Sequence, residues 1–154
     1  PVLDVSGYTH VVPEADICDA HDYEQDPKLF KKRHDGLLRD RPYERDEIWM
    51  KSIPWRRGQP FFVSEFGGIQ WSPGAKPGDA AWGYGNRPKT LKEFFERFEG
   101  LCAALLDNKR MFGYCYTQLT DVFQEQNGIY TFDRKAKYDL KRVHAAQVRK
   151  AAIE

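Results

Sequence analysis

The stretch PFFVSEFGG, residues 60–68, decides how this sequence folds. Its apolar part, Phe61 to Val63, has the aromatic and β-branched content of a buried strand. Polar residues follow at once, with Glu65 at the point where the strand is expected to end. Gly67 and Gly68 then permit a tight turn and the close approach of another group. The stretch therefore predicts a buried strand with a carboxylate at its carboxyl end.

Other segments extend this pattern along the chain. Strands are predicted at Val2 to Val5, Ala15 to His21, Phe61 to Glu65 and Met111 to Thr117. None alternates cleanly between apolar and polar residues, which is typical of parallel strands covered on both faces. Helices are predicted from Asp26-Pro27 to about Arg39, from a capping box of Thr90 and Glu93 onward, and over about 139 to 152. This order predicts an α/β fold with parallel strands.

Composition narrows the class of protein. The 154 residues, 41% apolar and 31% charged, suit one globular domain over 1–154. The net charge is +1 with both signs interspersed, so no basic face for nucleic acid is expected. No apolar run approaches the ~20 residues of a membrane helix. The three cysteines, Cys18, Cys102 and Cys115, are expected to be buried thiols.

The first residues give no information on localisation. Pro1 to Asp4 contains neither an initiator Met nor a basic leader, so the true N-terminus is expected to lie elsewhere. Cytoplasmic and periplasmic or secreted locations both stay open.

Polar residues gather where three of the predicted strands end. They lie in Asp19 to Tyr23, Ser64 to Gly68 and Tyr116 to Asp121. Because the carboxyl ends of parallel strands meet at one edge, these groups are expected to form a single site. A carboxylate such as Glu65 at this edge can attack an anomeric carbon. A structural strand-end Glu that pairs with Arg or caps a helix remains the alternative.

A metal site is a weaker hypothesis. Asp19, His21 and Asp22 have the ligand types of zinc or manganese, which would suit a metal-dependent hydrolase. However, the four histidines form neither an HxH nor an HxxxH pair. We therefore predict no metal and no cofactor, and we expect His21 to hydrogen-bond with a substrate hydroxyl or a carboxylate.

Several motifs together resemble a known family. DAHDYEQDP at 19–27, PFFVSEFGGI at 60–69 and GYCYTQLTD at 113–121 are similar to the C-terminal barrel motifs of glycoside hydrolase family 2, the β-galactosidase and β-glucuronidase family, and QEQNGIY at 124–130 extends the match. The resemblance implies a partial (β/α)8 TIM barrel, approximately strands 5–8 with their helices. It also implies a hydrolase of carbohydrate metabolism that cleaves β-glycosidic bonds by a retaining double displacement.

The resemblance assigns roles to particular residues. Glu65 would be the nucleophile, Tyr23 would hydrogen-bond its carboxylate, and His21 would face the sugar. The remaining substrate-binding residues would be Trp71 and Trp82, which stack on sugar rings or pack within their loop, and Tyr116, Gln118 and Asp121, which line the pocket floor or the aglycone side.

One departure from the family pattern is important. The general acid/base of the family is the Glu of an Asn-Glu pair, and this sequence contains no such pair. We expect that residue in an absent N-terminal half, so the chain alone should be inactive. The alternative is a non-catalytic half-barrel that self-associates or binds carbohydrate, because a partial barrel has open strand edges. The sequence does not indicate which sugar or linkage is cleaved.

Overall fold

The computed structural model describes residues 1–4, 7–8, 10–12, 14–41, 55–76 and 78–154. Its elements are β1 (Cys18–Asp22), α1 (Pro27–Asp35), a 3-10 turn (Gly36–Arg39), β2 (Phe61–Gly67), α2 (Leu91–Leu106), β3 (Met111–Thr117) and α3 (Leu140–Gln147). The sheet has the order β1-β2-β3, and both pairings are parallel. The predicted α/β class is thus confirmed, since the described residues form an open three-stranded parallel sheet with three helices.

The first predicted strand, Val2 to Val5, is wrong in the part that is described. Leu3 forms a single parallel bridge with Ile17, and Val5 lies outside the described residues. The Asp4 carboxylate accepts the backbone N–H groups of Val11 and Val12, at 2.7 and 2.6 Å, so the chain packs here as a loop.

The helix boundaries follow their capping residues. Asp26 Oδ1 accepts the N–H of Lys28 at 2.7 Å at the start of α1. Thr90 Oγ1 accepts the N–H of Glu93 at 3.1 Å, whereas the Glu93 carboxylate accepts from Lys89 rather than from Thr90, as a regular capping box would have it. The last helix is shorter than the predicted 139 to 152. It begins at Leu140 and ends at Gln147.

The helices α1 and α2 cover one face of the sheet. Phe30 of α1 packs on Phe66 with ring centroids 5.9 Å apart, and Phe98 of α2 packs on Tyr116 at 5.1 Å. Each fully buried side chain of this kind contributes about 1.5–3 kcal/mol. The opposite face is less well covered, since Phe112 is 52% exposed and Cys115 is exposed. The expectation of a buried thiol at Cys115 is therefore wrong, because that side chain lies on the less covered face of β3.

Candidate functional site

A β-bulge in β2 shapes the candidate site. On one side Ala20 pairs with Val63 and His21 pairs with Glu65, so Ser64 is an extra residue in β2. The pairing with β3 is irregular at the same place. A bulge of this kind re-aims side chains and is common beside active sites. Here it directs two successive polar side chains, those of Ser64 and Glu65, to the face of the sheet opposite α1 and α2.

The Glu65 carboxylate lies between two side chains of the β1 segment. The Tyr23 hydroxyl donates a hydrogen bond to Glu65 Oε2, and His21 Nδ1 lies 3.3 Å from the same oxygen. The Glu65 side chain is 40% exposed, so a ligand can reach it. The structure thus brings together three of the predicted site residues, around a carboxylate that is oriented and accessible.

The surroundings fix the protonation of both neighbours. Burial, and then the hydrogen bond to Glu65, raise the pKa of Tyr23, so its phenol stays protonated and remains a donor. Burial lowers the pKa of His21, against the opposing effect of the Glu65 charge. His21 is therefore neutral near pH 7, and Glu65 receives its contacts from uncharged groups.

Two aromatic residues of the loop after β2 extend this arrangement. The Tyr84 ring stacks on Tyr23 with centroids 3.4 Å apart and planes 5° from parallel. Trp82 lies edge-on to Tyr84 at 5.7 Å and is 44% exposed. The structure thus connects Trp82 to the Glu65 region through a row of rings. Tyr84 had no predicted role, and its only signal was its place in an aromatic, glycine-rich loop.

Trp71 and Tyr116 lie elsewhere. Trp71 is half-buried against Phe94, with ring centroids 6.2 Å apart, which corresponds to the loop-packing interpretation. The Tyr116 ring packs between Phe66 and Phe98, on the face that the helices cover. Its neighbours are therefore core residues, and it does not share the face of Glu65.

Gln118 and Asp121 belong to a hydrogen-bonded loop structure. Gln118 Nε2 donates to Asn127 Oδ1 at 2.8 Å. The buried Asp121 carboxylate accepts from Lys137 Nζ at 2.6 Å, and the same ammonium donates to the carbonyl oxygens of Trp71 and Gln126 at 2.9 and 3.2 Å. Burial lowers the pKa of Lys137, while Asp121 opposes that effect. Lys137 thus joins three loop segments, a role that its plain sequence context did not reveal.

The carboxylates of the metal hypothesis have other partners. Asp22 is fully buried, with Arg33 Nη1 at 2.6 Å and His34 Nε2 at 3.2 Å. Asp19 accepts a hydrogen bond from the Ser64 hydroxyl. Among the described residues, no group of three or more His, Cys, Asp and Glu side chains is arranged to hold a metal ion. The same part of the chain contains no helix long and apolar enough to span a bilayer.

The fold and the site together define an open α/β sheet with an accessible carboxylate at a strand end. No protein-family model matches this chain, and no curated protein matches its sequence. Solved structures do resemble it. They include the β-glucuronidases of Ruminococcus gnavus (TM-score 0.59, 14% identity, 90% of this chain and 23% of that one), Faecalibacterium prausnitzii (0.52, 16%, 90% and 23%) and Dictyoglomus thermophilum (0.51, 15%, 92% and 24%).

At this level of identity the likeness concerns the fold. The chain spans about a quarter of the length of these three structures.

Proposed function

We propose that this chain is the C-terminal half of the (β/α)8 catalytic barrel of a retaining β-glycosidase of the family 2 type, and that Glu65 is its nucleophile. The observation that carries this proposal is the position of the Glu65 carboxylate at the end of β2, with Tyr23 and His21 on one of its oxygens. The fold likeness to β-glucuronidases supports the broader class of glycoside hydrolase.

The geometry suits a double displacement. Because both contacts lie on Oε2, we assign the attack on the anomeric carbon to Oε1. The bond from that carbon to the aglycone oxygen breaks, and the aglycone oxygen takes a proton from the acid/base. Water, deprotonated by the same group, then attacks the same carbon and releases Glu65 from the glycosyl ester. Two inversions give net retention of configuration.

The acid/base must come from outside these 154 residues. The sequence has no Asn-Glu pair, and a retaining mechanism needs a second carboxyl group about 5–5.5 Å from the nucleophile. General acid–base help is worth about 10²–10⁴-fold, so the chain alone should not turn over unactivated glycosides at a useful rate.

Substrate contacts divide into two groups under this proposal. His21, Tyr23 and Trp82 lie on or next to the Glu65 cluster and are the residues that we expect to meet the sugar. Gln118 and Asp121 shape the loop after β3, while Trp71 and Tyr116 support it from the core side. We expect these four residues to affect substrate binding indirectly, by determining the shape of the loops.

The proposal includes a partner, because among the described residues β3 pairs with another strand on one side only. Beside it lies a mainly apolar groove of about 590 Å³, lined by residues that include Tyr114, Leu119, Ile129, Leu140 and Val143. An uncovered strand edge with apolar neighbours is a site for further pairing. We assign this edge to the absent half of the barrel. A second copy of the chain is the occupant in the alternative, non-catalytic proposal.

Covalent trapping tests the nucleophile. Dinitrophenyl 2-deoxy-2-fluoro-β-glycosides of glucuronate, galactose, glucose and mannose carry a leaving group that needs little acid help. The experiment uses a protein in which residues 1–154 are joined to the missing half that carries the acid/base. We expect one of these four fluoroglycosides to increase the mass of the peptide containing Glu65 by one fluoroglycosyl group. Glu65→Gln should abolish the adduct, whereas Glu125→Gln, in the loop after β3, should keep it. An adduct on another residue would overturn the assignment.

A further inference from the structure

A row of polar groups, buried except for the half-buried Ser64, leads to the residue next to Glu65 without touching Glu65 itself. It begins at Ser64, whose hydroxyl donates to Asp19 Oδ2. Asp19 lies on β1, two residues before His21, and it is fully buried. Burial raises the pKa of Asp19, an effect that the Ser64 hydrogen bond opposes. The double displacement described above gives these two side chains no role.

The row continues into the first segment of the chain. His10 Nε2 lies 3.0 Å from the backbone oxygen of Asp19, and His10 Nδ1 lies 3.0 Å from Asp4 Oδ1. The side chains of His10 and Asp4 are almost completely buried. Backbone N–H groups hold Asp4 in turn, and these bonds together with the hydrogen bond from His10 lower the pKa of Asp4 to about 2. Since an unsatisfied buried polar group is costly, a connected row of this kind favours a single arrangement.

The β2 bulge at Ser64 is the feature on which this row of polar groups acts. An extra residue in a strand is left outside the regular ladder, so pairing alone does not determine where its side chain points. The hydrogen bond from Ser64 to Asp19 supplies what the ladder lacks. It fixes the extra residue against β1, two positions before His21. The position of Glu65, the next residue, then follows from that of Ser64.

We propose, on the basis of the nucleophile assignment, that Ser64 and Asp19 are positioning residues that fix the β2 bulge so that the Glu65 carboxylate meets Tyr23 and His21. The row from Asp4 through His10 holds Asp19 in place. Neither Ser64 nor Asp19 takes part in bond making. Their loss acts through the position of the attacking oxygen, where a displacement of about 1 Å can cost about 10²-fold in rate.

Crystal structures of three variants test the geometry independently of any activity. In Ser64→Ala we expect Glu65 Oε2 to move out of hydrogen-bond distance of the Tyr23 hydroxyl. In Ser64→Thr, which keeps a hydroxyl donor, the contact should remain. Thr131→Ala is the matched control, because Thr131 also donates to a carboxylate, that of Asp133 at 2.6 Å in an exposed turn. A Ser64→Ala structure with the Tyr23–Glu65 hydrogen bond intact would overturn the proposal.

Trapping kinetics separate positioning from folding. With the fluoroglycoside that labels the wild type, Ser64→Ala and Asp19→Ala should lower the first-order rate constant of labelling about tenfold or more, with little change in KI. Ser64→Thr should restore the rate constant, and Thr131→Ala should match the wild type. A change confined to KI would refute the positioning role. If no fluoroglycoside labels the wild type, the nucleophile assignment fails, and the crystal structures alone decide whether Ser64 fixes Glu65.

Discussion

At the residue scale, the Glu65 carboxylate accepts a hydrogen bond from a phenol, and an imidazole nitrogen lies 3.3 Å from the same oxygen. A cation at this place would stabilise the carboxylate strongly and lower its reactivity toward carbon. A neutral donor such as Tyr23 orients the carboxylate at a smaller electrostatic cost, because a hydrogen bond to a charged group is worth about 1.5–3 kcal/mol. The arrangement therefore combines a fixed direction with a carboxylate that can still act as a nucleophile.

Tyr23→Phe isolates the contribution of the phenol. The variant keeps the ring that stacks on Tyr84 and removes only the hydroxyl that donates to Glu65. We expect the labelling rate constant of the proposed enzyme to fall about 10- to 100-fold, the equivalent of one charge-assisted hydrogen bond. Tyr130→Phe, in the loop after β3, should leave it unchanged. Equal rate constants for Tyr23→Phe and the wild type would show that this hydrogen bond does not assist the reaction.

His21 makes stability depend on pH. Burial lowers its folded-state pKa below the ordinary value of 6.5, so the unfolded chain binds this proton more readily. The contribution of neutral His21 is complete above that value and is lost as the pH falls below it. Asp4, with a pKa of about 2, stays charged through this range. Urea unfolding from pH 7 to pH 5 should show a smaller loss of stability for His21→Gln than for the wild type.

The exposed His144 provides the control for that titration. His144→Gln makes the same substitution at a histidine of α3 whose side chain is exposed. If stability depended less on pH in His144→Gln than in His21→Gln, the assignment of the pH dependence to His21 would be wrong.

At the element scale, the caps and apolar runs could be predicted, but the faces of the strands could not. Thr90 and Asp26 mark helix starts by local chemistry, and both are confirmed as capping residues. Alternation shows that Tyr114 and Tyr116 share a face of β3, yet it does not show which face the helices cover. The bulge at Ser64 was equally hidden, since an extra residue is defined only by its pairing with β1 and β3.

Thr90→Ala tests the cap of α2, the helix that carries Phe94 and Phe98 into the core. Loss of the hydroxyl that accepts the Glu93 N–H should lower the free energy of unfolding by about 0.5–2 kcal/mol. Chemical denaturation monitored by circular dichroism measures this change. Thr90→Ser, which retains the acceptor, should lose much less, and an equal loss in both variants would point to packing of the Thr methyl group instead.

At the scale of the whole molecule, the site could be predicted where topology alone brings residues together. The carboxyl ends of β1 and β2 meet, so the grouping of His21, Tyr23 and Glu65 followed from the order of parallel strands. The contacts of Lys137 and Tyr84 depend on how long loops fold back, and no local pattern encodes that path. The same limit applies to His10, which contacts the backbone oxygen of Asp19, and to Asp4, which contacts His10, because both lie outside the described helices and strands.

The exposed face of β3 predicts that the isolated chain associates with itself. Phe112 on β3 is 52% exposed, next to a free strand edge. Light scattering after size-exclusion chromatography should show a mass that rises with the concentration of the isolated chain. Phe112→Glu should reduce that rise. Phe123→Glu, at a similarly exposed phenylalanine of the loop after β3, should not. A monomer at every concentration would count against pairing through this edge.

Gly67 and Gly68 follow the proposed nucleophile in a left-handed backbone conformation, with φ values of 84° and 58°. A Cβ on Gly67 would collide with the Tyr116 ring, and one on Gly68 would collide with the Tyr84 ring and lie 3.1 Å from that of Tyr23. Every missense codon at these two positions introduces such an atom. In a saturation library selected for function, both positions should therefore be depleted of all other amino acids, as Glu65 itself should be, although a glycine has no side chain with which to touch a ligand.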